Sequence, residues 1–189
     1  MARWPDVPAV YGWLALDRRG HWLLKGERIA NPLVAAFIGR NYEREAAGRW
    51  FFQNGPQRVY VDLDYTPFVC RVVDPRHLTL ADHTGAPIEA RAAYLDEEGA
   101  LLLDTPRGPA LVHDADLCSL VESLVDGRSG GPLTDAELEA RLQGLGTHDE
   151  LALRGTSGRK VPVLPIARAE VPAHFSYVAR PSLLAGTTP

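Results

Sequence analysis

Two aspartates stand at alternate positions of the segment RVYVDLDYTP, residues 58–67. The segment has the alternation of a β-strand, in which side chains two residues apart share a face and lie about 7 Å apart. Carboxylates at that spacing suit the acid–base pair of a hydrolase or the ligands of a hard cation. The alternative is the solvent face of a half-buried strand, with arginine balancing the charges of Asp62 and Asp64. We favour the solvent face, because the strand offers no third acid.

A metal site would need further ligands, and the segment HLTLADH supplies the nearest candidates, His77 and His83. Their spacing matches neither the helical HExxH pattern nor a zinc finger. The alternative function is therefore a small metal-dependent hydrolase that uses Asp62 and Asp64, with His77 or His83 completing the metal site.

A second candidate site is the turn in GRWFFQNGPQRV, which follows three consecutive aromatic residues. Three in a row cannot all face one side of a strand, so at least one ring should lie beside the polar residues of the turn. A ring next to amides and a guanidinium suits a planar or anionic small ligand, or side chains of a partner. The alternative is a sheet covered on both sides, with all three rings in the core. The candidate ligand-binding residues are Trp50, Phe52, Gln53, Asn54, Gln57 and Arg58.

Other chemistry finds little support. The sequence has no G-x-S-x-G nucleophile motif and no phosphate loop. We expect Cys70 and Cys118 to be buried, reduced thiols, because both have apolar neighbours. The net charge of −4 and the near-absence of lysine argue against nucleic-acid binding. No cofactor is expected.

The elements that must position these residues follow one pattern twice. The segments LDRRGHWLL, from Leu16, and LDEEGALLL, from Leu95, are each predicted to form a hairpin. Each hairpin precedes a predicted helix: NPLVAAFIGRNYEREAAG, capped by Asn31, and HDADLCSLVESLVDG, whose apolar face comprises Leu117, Leu120, Val121, Leu124 and Val125. Further sheet segments close each copy, and FSYVARP follows the second.

This order predicts an α+β fold with duplicated hairpin-helix-hairpin units and mainly antiparallel sheets. We expect a first, aromatic-rich repeat over residues 1–80 and a second, acidic repeat over 81–189. The second repeat carries an inserted helix, LTDAELEARLQGLG, in which Thr134 and Glu137 form a capping box.

The segments YGWLALDRRGHWLLKGERI, FIGRNY and GRWFFQNGPQRVYVDLDYTP resemble the bacterial family of unknown function numbered 2946. The resemblance covers roughly residues 11–73 well. The hairpin-helix-hairpin pattern is also similar to the unknown-function family numbered 1285. The second resemblance implies a duplicated α+β architecture with a regulatory or signalling role. Neither resemblance supplies a catalytic residue.

The leading hypothesis is a non-enzymatic, regulatory module that binds a small molecule or a protein, with a symmetric homodimer as the expected assembly. A structural partner of a larger complex is a third class, which would expose an apolar patch around Trp13, Trp22 or Trp50. The chain has no run of apolar residues long enough to span a membrane and no recognisable signal peptide, so we expect a cytoplasmic protein.

Overall fold

The computed structural model describes residues 6–143, 151–155 and 158–182. The chain divides into two units: residues 1–67 together with 172–189, and residues 68–171. The division predicted at residue 80 therefore falls inside the second unit. The reason is that Phe68–Asp74 and Thr79–Asp82 form strands that pair with the sheet of the later residues.

The first unit contains a sheet whose six described strands have the order β3-β2-β1-β6-β5-β4. All neighbours are antiparallel except β1 and β6, which run parallel. One helix connects the two halves of the sheet. The elements are β1 Ala9–Leu16, β2 Trp22–Leu24, β3 Glu27–Arg28, α1 Pro32–Arg40, β4 Tyr42–Arg44, β5 Trp50–Asn54 and β6 Gln57–Leu63.

The second unit contains a sheet whose nine described strands have the order β13-β14-β15-β10-β11-β12-β7-β8-β9. Its parallel pairs are β10 with β15 and β12 with β7. The strands are β7 Phe68–Asp74, β8 Thr79–Asp82, β9 Pro87–Ile88, β10 Ala92–Leu95, β11 Leu101–Asp104, β12 Ala110–Val112, β13 Leu124–Asp126, β14 Leu151–Arg154 and β15 Lys160–Pro165. The helices of this part of the chain are α2 Leu117–Val121, α3 Asp135–Gln143 and α4 Val171–His174, the last at the junction with the first unit.

The α+β class and the mainly antiparallel sheets confirm the predicted fold. The order of β1 to β6 recurs in β10 to β15, including the parallel pairing of the first and last strands. The register of the two predicted hairpins also agrees: Leu16 pairs with Trp22, and Leu95 pairs with Leu101 at the same distance from the Asp-x-x-Gly turn.

Two of the three predicted helices begin at their predicted caps. The first is shorter than predicted, because α1 ends at Arg40 and Tyr42–Arg44 of the same segment form β4, paired with β5. The Asn31 side chain accepts hydrogen bonds from the backbone N–H groups of Leu33 and Val34, and it opens α1. At α3 the Glu137 carboxylate accepts from the Thr134 N–H at 2.8 Å, and the Thr134 hydroxyl accepts from the Glu137 N–H at 3.3 Å. These contacts satisfy N–H groups that the first turn of a helix leaves without intrahelical partners.

The helix predicted in HDADLCSLVESLVDG is wrong in its second half. After a 3₁₀ turn at Asp114–Asp116, α2 ends at Val121, and the chain forms strand β13. Leu124 lies opposite Leu153 of β14 in that strand. Pairing with a neighbouring strand has overridden the helical spacing of the apolar residues, as tertiary contacts often do.

Residues 175–180, which we call the C-terminal clasp, belong to the first unit, although FSYVARP was predicted to belong to the second repeat, residues 81–189. The Tyr177 hydroxyl donates to the Tyr65 carbonyl at 2.7 Å, and the Val178 N–H donates to the Gly48 carbonyl at 3.0 Å. The Leu63 N–H donates to the Ala179 carbonyl at 2.8 Å. The clasp therefore supplies hydrogen-bond partners for backbone groups just before β5 and at the end of β6.

In the ranges that the structure describes, no helix has the length and apolar character needed to cross a membrane.

Candidate functional site

The aspartate pair of β6 and the loop after it faces an arginine of the C-terminal clasp. The Arg180 guanidinium lies 3.1 Å from the Asp64 carboxylate and 3.8 Å from that of Asp62. Burial raises the pKa of Asp62, Arg180 lowers it, and the neighbouring charge of Asp64 raises it again. A cation already balances the pair, which leaves little attraction for a metal ion at these two oxygens.

The two candidate histidines have other partners and belong to the second unit. The His77 ring contacts the Asp74 carboxylate at 2.5 Å, and the His83 ring nitrogen Nδ1 accepts from the Val69 N–H at 3.3 Å. Within residues 6–143, 151–155 and 158–182, no group of three or more histidine, cysteine, aspartate or glutamate side chains is arranged to hold a metal ion. The metal site of the hydrolase hypothesis thus lacks its third ligand among the described residues.

The aromatic residues of the predicted ligand site are buried. Trp50, Phe51 and Phe52 are 4%, 3% and 6% exposed. Phe52 packs edge-on against Phe37 of α1, with ring centroids 5.5 Å apart. On the opposite face, the Arg58 guanidinium lies 4.7 Å from the centroid of the Phe51 ring and covers it. All three rings are core residues, which corrects the expectation of an aromatic surface at this turn.

The polar residues of the same turn bind the chain itself. The Gln53 amide donates to the Gly55 carbonyl at 2.6 Å, and the Gln57 amide donates to the Val7 carbonyl. Arg58 pairs with Glu45 at 3.4 Å, and Asn54 ends strand β5 beside the apolar groove of the first unit. These side chains fasten the hairpin, so the turn is a structural feature of the sheet.

The tryptophan patch expected of a structural partner is also largely absent from the surface of the described chain. Trp22 and Trp50 are buried. Trp13 is half-buried, and the Lys25 ammonium lies 3.5 Å above its ring, a cation–π contact that covers one face.

An apolar concavity with exposed walls lies in the second unit, and we call it the α2 groove. It has a volume of about 230 Å³. Helix α2, the last turn of α3 and the strands of the central sheet form its walls. The side chains that line it include Leu101, Leu117, Leu120, Val121, Leu142 and Leu153.

The geometry of the groove follows from the shortness of α2. Leu117, Leu120 and Val121 fall on one side of the helix because they are three and four residues apart. Leu120 reaches the core and is 2% exposed, whereas Val121 is 47% exposed and Leu142 of α3 is 39% exposed. Two apolar rims therefore stand open to solvent above a buried apolar floor.

The chemistry of the groove is that of a binding surface. Its described lining consists of leucine, valine and glycine, with no side chain that could transfer a proton, act as a nucleophile or hold a metal. Its volume is below the roughly 300–1,000 Å³ of sites that enclose a small molecule. The arrangement can remove apolar side chains of another molecule from water.

The surroundings of the groove are acidic. Residues 68–171 contain seventeen aspartates and glutamates against ten lysines and arginines, a net charge of −7. Glu122 follows the exposed Val121, and Glu139 precedes Leu142 by three residues on α3; both are exposed. Arg141, the basic residue in the last turn of α3, is paired with Asp126 at 2.6 Å.

Sequence reasoning located the apolar side of α2 but did not show that part of it lies at the surface. The spacing of Leu117, Leu120 and Val121 was the correct signal. What it could not show was that α2 ends after five residues, so that Val121 lies at a rim. The cysteine on this helix was also misplaced: Cys118 is exposed, while Cys70 is buried and its pKa is raised to about 12 by burial.

The structure defines an α+β protein with two mainly antiparallel sheets. The chain belongs to the family DUF2944, described as "Protein of unknown function (DUF2946)", whose model matches residues 1–182. This membership confirms the resemblance drawn from the sequence. No curated protein matches the chain.

Solved structures of the DUF1285 family are similar to this chain. A DUF1285 family protein from Silicibacter pomeroyi DSS-3 has 18% identity and a TM-score of 0.56, with 82% of this chain and 81% of that chain covered. A DUF1285 family protein from Shewanella baltica OS155 has 15% identity and a TM-score of 0.44, with 58% of this chain and 90% of that chain covered. The first similarity shows a shared fold.

Proposed function

We propose that the protein is a non-enzymatic regulatory module that binds the apolar face of an amphipathic helix of a protein partner in the α2 groove. The observation that carries the proposal is the open apolar rim formed by Val121 and Leu142 above the buried Leu120. Large side chains exposed on both sides of a preformed groove gain free energy when a partner covers them.

A helix is the partner element that fits this groove best. An amphipathic helix presents apolar side chains at intervals of three and four residues, and it inserts them as a row into an apolar groove. A groove of about 230 Å³ has room for a few apolar side chains and not for a whole drug-sized molecule. The groove does not need to supply main-chain hydrogen bonds to the partner, because a helix pairs its own backbone N–H and C=O groups.

The charge of the second unit favours a basic partner. Carboxylates such as Glu122 and Glu139 flank the apolar rim, and the unit carries a net charge of −7. Opposite charge on the polar face of the helix would speed association and orient it, and an acidic helix would be repelled. We therefore assign the partner a lysine- or arginine-rich polar face.

The predicted internal duplication also supports the α2 groove as a binding site, because the first unit has a groove beside the corresponding helix. In the first unit, a groove of about 230 Å³ lies between α1 and the sheet, with Val34, Phe37 and Phe52 in its lining. Helix α1 follows its three strands as α2 follows β10 to β12, in sheets of the same strand order. We infer that both grooves descend from one ancestral unit.

The predicted homodimer remains a prediction. Leu33 of α1 is 78% exposed, and Val34 and Phe37 are 43% and 44% exposed. This apolar side of α1 is the part of the first unit that a second copy would cover, and analytical ultracentrifugation of the wild type and Leu33→Ser would measure it.

The test of the proposed function uses two synthetic helical peptides with the same leucine positions. The first peptide has lysine at all the remaining positions, and the second has glutamate at those positions. Binding is measured by isothermal titration calorimetry with the wild type, Val121→Asp and the control Val73→Asp. Val73 is 64% exposed on β7 of the same unit, so the control places the same charge at an exposed valine outside the groove.

The lysine peptide should bind the wild type and Val73→Asp, and Val121→Asp should weaken its binding by about tenfold or more. The glutamate peptide should bind far more weakly. Equal binding to Val121→Asp and Val73→Asp, or no preference between the peptides, would refute the assignment.

A further inference from the structure

A polar pocket of about 280 Å³ lies in the second unit, formed by the loop after β7, the end of α2 and the end of β14. Helix α2 contributes to this pocket and to the α2 groove with different side chains. We call it the serine pocket, and its polar side chains are Arg76, Ser119, Glu122, Ser123 and Arg154.

The two serine hydroxyls present acceptors to the pocket. The Ser119 hydroxyl donates to the Asp116 carbonyl at 2.7 Å, and the Ser123 hydroxyl donates to the Pro75 carbonyl at 3.4 Å. A hydroxyl has one hydrogen and two lone pairs, so a serine that has used its hydrogen offers only an acceptor. Both oxygens therefore suit a ligand that carries N–H groups.

The pocket contains charged side chains of both signs, the cations Arg76 and Arg154 and the anion Glu122. Arg154 donates one N–H to the Gly130 carbonyl and keeps its other donors. In the part of the chain that the structure describes, the side chains of Arg76 and Glu122 have no hydrogen bond or ion pair. The pocket thus combines two guanidinium groups with one carboxylate and two hydroxyl acceptors.

The loop that carries Arg76 is fixed against the end of β14 by a close backbone approach. A Cβ atom built on Gly155 would lie 2.9 Å from the carbonyl oxygen of His77 and 3.0 Å from its carbon. Real side chains do not fit at that distance, so glycine is required where the loop passes the strand. This contact holds the wall of the pocket in place without a ligand.

We propose that the serine pocket binds a zwitterion of amino-acid size. Arg76 and Arg154 would hold the carboxylate, because guanidinium groups match its two oxygens. Glu122 and the hydroxyl oxygens of Ser119 and Ser123 would accept hydrogen bonds from the ammonium group. A simple anion would leave these acceptors unpaired and would be opposed by the charge of Glu122.

The experiment measures the binding of the twenty standard amino acids by ligand-observed NMR and calorimetry, beside propionate, propylamine and inorganic phosphate. The variants are Arg76→Gln and Glu122→Gln, with Arg91→Gln and Glu170→Gln as controls in the same unit. Arg91 and Glu170 are exposed and lie outside the pocket. A ¹H–¹⁵N spectrum of the wild type maps the shifted amides.

At least one amino acid should bind, and both pocket variants should weaken it by about tenfold or more while the controls leave it unchanged. Amides of Arg76, Ser119, Ser123 and Arg154 should shift in the wild type, a readout that does not depend on the variants folding. The proposal fails if no amino acid binds, if propionate or phosphate binds as tightly, or if the shifts lie elsewhere. These outcomes are distinguishable from those of the peptide experiment, because the linings of the two sites share no side chain and the peptide test rests on Val121, which the serine pocket does not contain.

Discussion

Replacement of Gly48 by alanine should detach the C-terminal clasp from the first unit. Gly48 has φ +80°, and a Cβ atom placed there would lie 2.5 Å from the Ser176 carbonyl oxygen and 3.2 Å from the Tyr177 Cα. All three of its nearest neighbours are backbone atoms, which cannot turn aside as a side chain can. The clasp or the turn at Gly48 must therefore move.

The cost has two parts that a control variant separates. An alanine with a left-handed backbone loses about 1–2 kcal/mol of stability relative to glycine. Forcing a methyl group into a packed backbone contact adds about 1–3 kcal/mol. Gly26 has φ +84° with nothing within 4 Å of its Cβ position, so Gly26→Ala incurs only the first cost. The difference between the variants measures the clash.

The assays are thermal unfolding and hydrogen exchange. A difference of about 2 kcal/mol lowers the melting temperature of a chain of this length by about 5 °C more in Gly48→Ala than in Gly26→Ala. The N–H groups of Val178 and Leu63, which bond to Gly48 and Ala179, should lose protection in Gly48→Ala alone. Equal melting temperatures with both N–H groups still protected would refute the reasoning.

Three further predictions concern carboxylates and a cap. Burial raises the folded-state pKa of Asp62 above 3.8, so ionisation of Asp62 destabilises the fold as pH rises. Asp62→Asn should therefore be more stable than the wild type at pH 7. This gain in stability should vanish in acid. Asp116, whose pKa Arg71 lowers, acts in the opposite sense: urea unfolding should show Asp116→Asn less stable at pH 7, with the deficit shrinking as pH falls below 3.8. Thr134→Ala should cost about 1 kcal/mol, seen as fraying of α3 in hydrogen exchange, and unchanged protection would contradict the cap.

Local signals predicted the first unit well. The Asn31 cap and the following proline located α1, and the Asp-x-x-Gly turn located the first hairpin, because these features depend on a few adjacent residues. The acidic character of the later part of the chain was also visible in the sequence. It corresponds to the net charge of −7 within residues 68–171.

Long-range pairing accounts for what the sequence missed. Strand β7 pairs with β12, far along the chain, so the unit boundary lies near residue 68 and not at 80. Leu124 is at helical spacing from Leu120 but pairs with Leu153 in a strand. The serine pocket could not be predicted for the same reason, because only the pairing of distant strands brings Arg76, Ser119 and Arg154 together.

The C-terminal clasp has a consequence for synthesis of the protein on the ribosome. The second unit is one continuous stretch, residues 68–171, and it can fold once that stretch has emerged. The first unit must wait for residues 175–180, which bond Gly48 and Leu63 from more than a hundred residues away. Until then the Leu63 N–H and the Gly48 carbonyl lack the partners that the clasp supplies. The part of the chain that is made first is therefore the part that is completed last.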